Sequence, residues 1–205
     1  NIPTTLPAGR GRIGVRTNAQ LVDAKIHRTL SACGINETMT YSFAAGDDLD
    51  KLRMMEDGLG EAVELINPMN SEQAFMRRTV VPGLLRSVAH NQAHGVSNIQ
   101  LYEIGTVFAA HEGDRKPKER RKLACVLAGA MDDKGWNTDP RAFDFFDGKG
   151  ALEAIARELA LPKVRFKALS AEDAPHLKPG RAAEMLSGGD VIGWVGELHP
   201  LAVAA

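Results

Sequence analysis

Three arginines lie close together in the sequence and are the side chains best suited to bind an anion. Arg77 and Arg78 are adjacent, and Arg86 follows near the start of a predicted helix. A guanidinium group presents parallel donors that match a phosphate or a carboxylate. The alternative is that these arginines form salt bridges with the acidic stretch before them, residues 46–61, and the charge pattern alone favours that alternative.

Two aspartates and two histidines also have spacings that chemistry can use. Asp144 and Asp147 flank two phenylalanines, and paired carboxylates do acid–base work, although an aspartate just before a helix is usually its N-cap. His90 and His94 lie four positions apart and can share a helix face, but the zinc-protease pattern requires a glutamate between them, which is missing. Two ligands alone do not make a metal site, so we expect a solvated or packed histidine pair. Spacing by itself predicts no catalytic group and no metal site.

Residues 9–14 spell a literal G-x-G-x-x-G, the pattern with which a strand-to-helix turn binds a dinucleotide. The pattern requires a strand in front of it, but Pro3 and Pro7 precede it and exclude a central strand. The next helix begins only at Thr17, too late to receive a pyrophosphate. We therefore interpret residues 1–16 as an extended linker from an upstream module and the glycine pattern as a coincidence.

The composition is typical of a soluble globular domain. The 205 residues are 44% hydrophobic and 25% charged, and 25 Lys and Arg against 26 Asp and Glu give a formal charge of −1. A dedicated nucleic-acid-binding domain is usually clearly basic, so this balance argues against that class. The apolar stretches of the sequence are too short for a membrane span.

The cysteines indicate the redox compartment of the chain, and the first residue indicates whether the chain is part of a longer protein. Cys33 and Cys125 are the only cysteines, and both fall inside apolar patterns. We therefore expect core thiols, no disulfide framework and a reducing, cytoplasmic location. The chain begins at Asn1 without a methionine, from which we expect it to be part of something longer.

Periodicity and capping residues divide residues 17–205 into the helices and strands of a single predicted domain. Thr17 and Gln20 form a capping-box pattern, and Gly105 inside a long strand predicts a bulge or a close backbone approach. The predicted helices cover 17–33, 82–95 and 147–161, and the predicted strands cover 38–43, 98–108, 123–130, 164–168, 182–186 and 191–198. Hairpins with few helices indicate an α+β fold with an antiparallel sheet flanked by helices.

Several longer phrases of the sequence follow one another in the order of a known family and run nearly from end to end. They are Asn-Ile-Pro at 1–3, Thr-Met-Thr-Tyr-Ser-Phe at 38–43, Asn-Pro at 67–68, Met-Arg-Arg-Thr-Val-Val-Pro-Gly-Leu-Leu at 76–85, Asn91, Tyr-Glu-Ile-Gly-Thr-Val-Phe at 102–108, Asp-Phe-Phe-Asp-Gly-Lys-Gly at 144–150, Pro-Gly-Arg-Ala-Ala at 179–183 and Gly-Trp-Val-Gly-Glu-Leu-His-Pro at 193–200. Together they resemble the β subunit of bacterial phenylalanyl-tRNA synthetase. So many agreeing phrases are far more specific than any short motif.

The resemblance implies the fold of the class II aminoacyl-tRNA synthetase core without an active site of its own, because in this family the α subunit carries out catalysis. The strand that resembles the ATP-binding strand of active class II enzymes, residues 102–105, contains no arginine. The resemblance thus implies no catalytic residue, metal or cofactor in this chain, while ATP and magnesium serve the whole enzyme. Arg77, Arg78, Tyr102 and Glu103 then stand at degenerate active-site-like positions.

The resemblance also implies a subunit contact through the helix over 17–33, which is similar to the element that builds the helical bundle of an (αβ)2 heterotetramer. The candidate interface residues form one stripe: Leu21, Val22, Lys25, Ile26, Thr29 and Leu30. The alternative is that this stripe packs on its own sheet. The implied partner is the α subunit, tRNA contacts fall mainly on other modules, and no membrane contact is implied.

Two other functions stay open at the level of the sequence. A freestanding synthetase-like enzyme would bind small molecules through Arg77, Arg78 and Glu103. A weak tRNA-contact module would use the three arginines of the linker and the basic loop over 115–122. Such phosphate contacts weaken steeply with salt.

Overall fold

The computed structural model describes residues 14–54, 60–111 and 116–204, and predictions that fall on residues 1–13, including the glycine pattern up to its last residue, lie outside these ranges. The helices are α1 (Asn18–Ala32), α2 (Asp48–Lys51), α3 (Val81–Ala93), α4 (Phe145–Glu158) and α5 (Pro200–Val203), with a 3₁₀ helix at Ser71–Gln73. The strands are β1 (Asn36–Glu37), β2 (Phe43–Ala44), β3 (Phe75–Met76), β4 (Ile99–Ala109), β5 (Lys118–Ala128), β6 (Arg165–Ala168), β7 (Leu177–Ser187) and β8 (Asp190–Leu198).

The central sheet has the strand order β1-β4-β5. β4 pairs antiparallel with β5 along its whole length without a register shift, and β1 pairs with β4 in parallel. Residues directly opposite each other in a sheet share a face. Tyr102 therefore lies beside Cys125 on one face, and Val107 lies beside Arg120 on the other.

Helices cover both faces of the central sheet. On one face α1 and α4 pack over Tyr102, and a core cluster forms there from Ile26, Leu30, Ile35, Tyr102, Ala151 and Ile155, with Ile104, Leu123, Leu127, Leu152 and Leu159 around it. On the other face, in front of α3, Val80 packs with Val107 and Ala109. Since β4 contributes to both clusters, it is the strand that the fold buries most deeply.

A second sheet has the order β6-β7-β8 and contains the hairpin that the sequence predicts. Gly188 and Gly189 form its two-residue turn, with φ angles of 64° and 111°. Two successive positive φ angles match the right-handed twist of hairpin strands and favour glycine. α4 contacts both β5 and β8 and so connects the two sheets. The predicted α+β fold with antiparallel sheets is confirmed.

α1 begins with the predicted capping box. The Thr17 hydroxyl accepts a hydrogen bond from the Gln20 amide at 3.3 Å, and the Gln20 side chain accepts one from the Thr17 amide at 2.9 Å. Such a cap contributes about 1 kcal/mol to helix stability. Gly34, with a φ of 78°, follows the helix where a left-handed residue ends it.

The predicted strand over 38–43 is wrong. Only β1 and β2 flank this segment, and Met39 and Tyr41 are 89% and 78% exposed. The alternation of polar and apolar residues is present, but the polar residues point inward: the hydroxyl of Thr40 donates to Glu103 Oε2 at 2.6 Å. A buried carboxylate, which requires donors, outweighs the apolar pattern that the sequence displays here.

The predicted core thiols are also wrong, because Cys33 and Cys125 are both free and exposed. Cys33 is the C-cap residue of α1. Cys125 lies on β5, where it lines a broad cleft that is open to solvent, although burial by the surrounding residues still raises the pKa of its thiol to about 12.

Candidate functional site

The centre of the candidate site is a buried ion pair between Arg77 and Glu103. Arg77 Nη1 lies 2.6 Å from Glu103 Oε1, and the two side chains are only 8% and 3% exposed. Arg77 Nε also donates to the backbone carbonyl of Thr106 at 2.9 Å. The arginine is therefore held by β4 at two points, and its charge is compensated inside the protein.

Thr40 completes this network from the segment between β1 and β2. Its hydroxyl donates to Glu103 Oε2 and accepts from Arg77 Nη1 at 3.0 Å. Its side chain lies directly against Gly83 of α3, where a Cβ would stand 2.9 Å from the Thr40 Cβ. Both carboxylate oxygens of Glu103 thus have donors from within the chain.

Gly105 provides the space in which the network lies. The register of β4 and β5 is continuous at this residue, so the predicted bulge is absent and the predicted close approach is confirmed. A Cβ at Gly105 would lie 2.8 Å from Glu103 Oε1 and from Val80 Cγ1, and closer still to Arg77 Nη2. A side chain here would displace the guanidinium group.

Tyr102, the neighbour of Glu103, points to the opposite face of the sheet. It is 1% exposed, and its hydroxyl lies 2.8 Å from Nδ1 of His27 on α1. The same nitrogen lies 3.4 Å from the Glu37 carboxylate. Burial raises the pKa of the Tyr102 hydroxyl, so it acts as a neutral group that fastens α1 to β4.

Of the three clustered arginines, the structure confirms a salt bridge to the acidic stretch for Arg86. Its guanidinium binds both carboxylate oxygens of Asp48, at 2.8 and 3.1 Å. Arg77 pairs instead with Glu103, which lies after it in the sequence, and Arg78 is half-buried just before α3. The prediction of a salt bridge to the acidic stretch is therefore correct for Arg86 and wrong for Arg77.

Asp144 and Asp147 belong to the start of α4, as the N-cap interpretation predicts. Asp144 Oδ1 accepts from the Phe146 amide at 2.8 Å, and Asp147 Oδ2 accepts from the Asp144 amide at 2.8 Å. Arg141 holds the Asp147 carboxylate with both guanidinium nitrogens, at 2.9 and 2.6 Å, and lowers its pKa. The two aspartates form a helix cap and not an acid–base pair.

The α1 stripe is divided between the interior and the surface. Ile26 and Leu30 belong to the core cluster, whereas Leu21 and Val22 are 47% and 42% exposed. Lys25 is the fifth member, and its amine donates to the carbonyl that ends α4 at 3.0 Å.

The remaining member of the stripe, Thr29, donates from its hydroxyl to the Lys25 carbonyl at 2.9 Å. This bond lies within the helix, so the hydroxyl proton of Thr29 is not donated to the sheet. Part of the stripe therefore packs on its own sheet, and the first turn of α1 presents apolar side chains to solvent.

A broad cleft of about 2000 Å³ opens between α3, β5, α4 and β8. Arg78 lies on its wall, but neither Arg77 nor Glu103 lines it. The described ranges contain no group of three or more His, Cys, Asp or Glu side chains placed to hold a metal ion. They also contain no helix long and apolar enough to cross a membrane.

The basic residues proposed for a tRNA contact are only partly described. Arg16 is exposed just before α1. The basic loop predicted over 115–122 is wrong from Lys118 onward, because these residues belong to β5, and Arg121 there is bound to Asp23 at 2.8 Å. The remaining linker arginines lie outside the described residues. Sequence reasoning missed Thr40 and His27 as members of the site, and the glycines at 83 and 105 were the signals of close packing there.

Residues 2–205 match the family model described as phenylalanyl tRNA synthetase beta chain CLM domain. Among curated proteins, the phenylalanine–tRNA ligase beta subunit of Syntrophotalea carbinolica is 34% identical over 206 residues, which cover 100% of this chain and 25% of that protein. The protein of the same name from Moorella thermoacetica is 37% identical over 205 residues, with the same coverage. The chain therefore spans about a quarter of the length of these relatives.

Solved structures of pyrrolysyl-tRNA synthetase from Desulfitobacterium hafniense have a similar fold. One is 15% identical with a TM-score of 0.62 and covers 90% of this chain and 60% of that chain. Another is 14% identical with a TM-score of 0.59 and covers 86% and 55%. At this identity the likeness concerns the fold alone, and it confirms the predicted class II synthetase core.

Proposed function

The chain belongs to the family of the phenylalanyl-tRNA synthetase β chain CLM domain, and from this premise we propose that it is a non-catalytic core that scaffolds the catalytic α subunit of phenylalanine–tRNA ligase. In the whole enzyme this support serves the ATP-dependent charging of tRNA with phenylalanine, in a cytoplasmic (αβ)2 heterotetramer. ATP and magnesium act at the α subunit, and tRNA binds mainly to other parts of the β subunit.

The buried Arg77–Glu103 pair is the observation that carries the non-catalytic part of the proposal. An arginine that binds ATP must meet the ligand at the surface of a pocket, whereas Arg77 is bound to Glu103, Thr40 and Thr106 and is absent from the wall of the cleft. Removing it from Glu103 would leave a carboxylate buried without its counter-charge, at a cost of about 3–5 kcal/mol. Ligand binding by Arg77 would therefore destabilise the folded protein.

The scaffolding part of the proposal is supported by the two sides of α1. Ile26 and Leu30 pack in the core and hold the helix against the central sheet, and the Asp23–Arg121 ion pair connects the helix to β5. Leu21 and Val22 remain exposed in its first turns. A partner that packs on these two side chains meets a helix that is already held in position, so little conformational entropy is lost on binding.

Co-purification with the α subunit tests the scaffold. We expect Leu21→Asp and Val22→Asp each to lower the amount of α subunit recovered at least tenfold, because a charge at an apolar interface core is left without a partner. Val96→Asp is the matched control, since Val96 is 46% exposed outside α1. Normal recovery with both α1 variants would contradict the assignment of the interface.

Phenylalanine-dependent pyrophosphate exchange tests the absence of catalysis. We expect none from the chain alone and activity once the complete β subunit is combined with its α subunit. Exchange by the isolated chain, lost in Arg78→Ala, would contradict the proposal and favour the freestanding enzyme. This result would leave the co-purification experiment unaffected, so the two halves of the proposal can fail separately.

A further inference from the structure

His90 and His94 form a side-by-side pair of imidazoles at the C-terminal end of α3. They lie one helical turn apart, and both residues are exposed. Their ring centroids are 4.3 Å apart, with an angle of 37° between the planes. Neither ring takes part in the Arg77 network or in the exposed part of α1, so the pair is independent of the scaffold proposed above.

A hydrogen bond fixes the tautomer of one ring. His94 Nδ1 lies 2.7 Å from the backbone carbonyl oxygen of His90. A carbonyl can only accept, so Nδ1 carries the proton and donates, and Nε2 of the neutral ring keeps its lone pair. Metal-binding histidines are oriented in this way, with one nitrogen donating to a carbonyl or carboxylate and the other facing the metal.

We propose that His90 and His94 chelate one divalent transition-metal ion of the Cu²⁺, Ni²⁺ or Zn²⁺ class. Imidazole suits these ions, and bonds of about 2.0–2.1 Å to the metal place two ligating nitrogens about 3 Å apart. The observed rings have centroids 4.3 Å apart, and we expect the exposed His90 side chain to rotate on binding so that its nitrogen comes to this separation. The partial negative charge at the C-terminus of α3 also favours a bound cation.

The expected site is open and exchangeable. Within the described ranges the two histidines are not joined by a third His, Cys, Asp or Glu ligand, so water fills the remaining coordination positions. Two histidines do not make a closed structural site, in which a zinc ion has four protein ligands, so the pair binds its ion more weakly and exchanges it with solvent. Affinity should follow the order of the divalent ions, with Cu²⁺ above Ni²⁺ and Zn²⁺.

Calorimetric titration of the 205-residue chain with Ni²⁺ at pH 7.5 tests the site. We expect His90→Gln and His94→Gln each to weaken binding at this site at least tenfold, because each variant reduces a chelate to a single imidazole. His111→Gln, which removes an exposed histidine outside α3, is the control and should bind as the wild type does.

His90→Gln separates chelation from helix capping. It keeps the backbone carbonyl to which His94 donates, so the end of α3 is preserved while one metal ligand is removed. In paramagnetic resonance of the Cu²⁺ complex we expect two imidazole nitrogens in the wild type and one in either variant. The proposal would be overturned if only His94→Gln weakened metal binding. It would also be overturned if the wild type, His90→Gln, His94→Gln and His111→Gln all bound the metal with equal affinity.

Discussion

Against the central sheet, Arg77 and Glu103 are buried as charged groups. Thr40 donates a hydrogen bond to Glu103, and Arg77 donates to Glu103 and to the backbone carbonyl of Thr106. Just before β7 of the second sheet, His176 is equally buried, at 7% exposed, yet neither of its ring nitrogens has a hydrogen-bond partner in the part of the chain that the structure describes. Its ring instead meets Trp194 edge-to-face, with centroids 4.9 Å apart.

The two regions differ in how the buried side chain lowers the free-energy cost of leaving water. A guanidinium or a carboxylate cannot discharge cheaply, so the protein must supply partners from distant segments. A histidine can give up its proton and pack as a neutral aromatic ring. Burial accordingly lowers the pKa of His176. Variants that remove charge or space at each region should therefore have unequal effects.

The largest effect is expected from Arg77→Met, which leaves Glu103 buried without a counter-charge. Its free energy of unfolding, measured by urea denaturation, should fall by about 3–5 kcal/mol. Adding Glu103→Gln should restore more than half of this loss, because the double variant buries no lone charge. If the double variant regains none of the lost free energy of unfolding, then packing, and not charge, makes Arg77 necessary for stability.

An exposed ion pair is the control for this cycle. Lys178 and Glu197 lie 3.2 Å apart, with side chains that are 54% and 29% exposed. Lys178→Met should change the free energy of unfolding by less than about 1 kcal/mol, since water replaces the lost partner.

A smaller effect should follow Gly105→Ala, which leaves all charges in place and removes only space. The methyl group meets Arg77, Glu103 and Val80, and overpacking of this kind costs about 1–3 kcal/mol. Gly150→Ala is the matched control, because a Cβ at this exposed position of α4 meets no atom within 4 Å. The control should be stabilised by about 0.5–1 kcal/mol through helix propensity, so the two glycines should shift the urea midpoint in opposite directions.

The sequence predicts well those features that neighbouring residues decide. The capping box of Thr17 and the Gly188–Gly189 turn depend on residues within a few positions of one another, and both are confirmed. The long strand with a close approach at Gly105 is also confirmed, because a glycine inside a strand commonly marks a point where other atoms come close to the backbone.

The buried network lay beyond sequence reasoning because its members are distant in the chain. Arg77 and Glu103 are 26 positions apart, and Thr40 and Glu103 are 63 positions apart. Charge pattern directed Arg77 to the nearer acidic stretch, and the alternation of polar and apolar residues placed Thr40 in a predicted strand over 38–43. Both inferences fail for the same reason: a charge buried by tertiary packing takes its partners from whichever segments reach it.

His176 provides the smallest predicted effect and the one that depends on pH. Its folded pKa is lowered from 6.5 by burial, so the folded state resists protonation while the unfolded state accepts it. Its contribution to stability is complete above about pH 6.5, the ordinary pKa that the unfolded state keeps, and is lost as the pH falls below this value through the lowered pKa of the folded state. His176→Phe keeps an aromatic ring against Trp194, and its urea midpoint should decline less between pH 7.5 and 5.5 than that of the wild type.

His111→Gln, which removes a surface histidine, is the control and should show the same decline as the wild type. An equal decline in His176→Phe would mean that the nitrogens of His176 have a polar partner, and the contrast with the fully bonded charges of Arg77 and Glu103 would disappear.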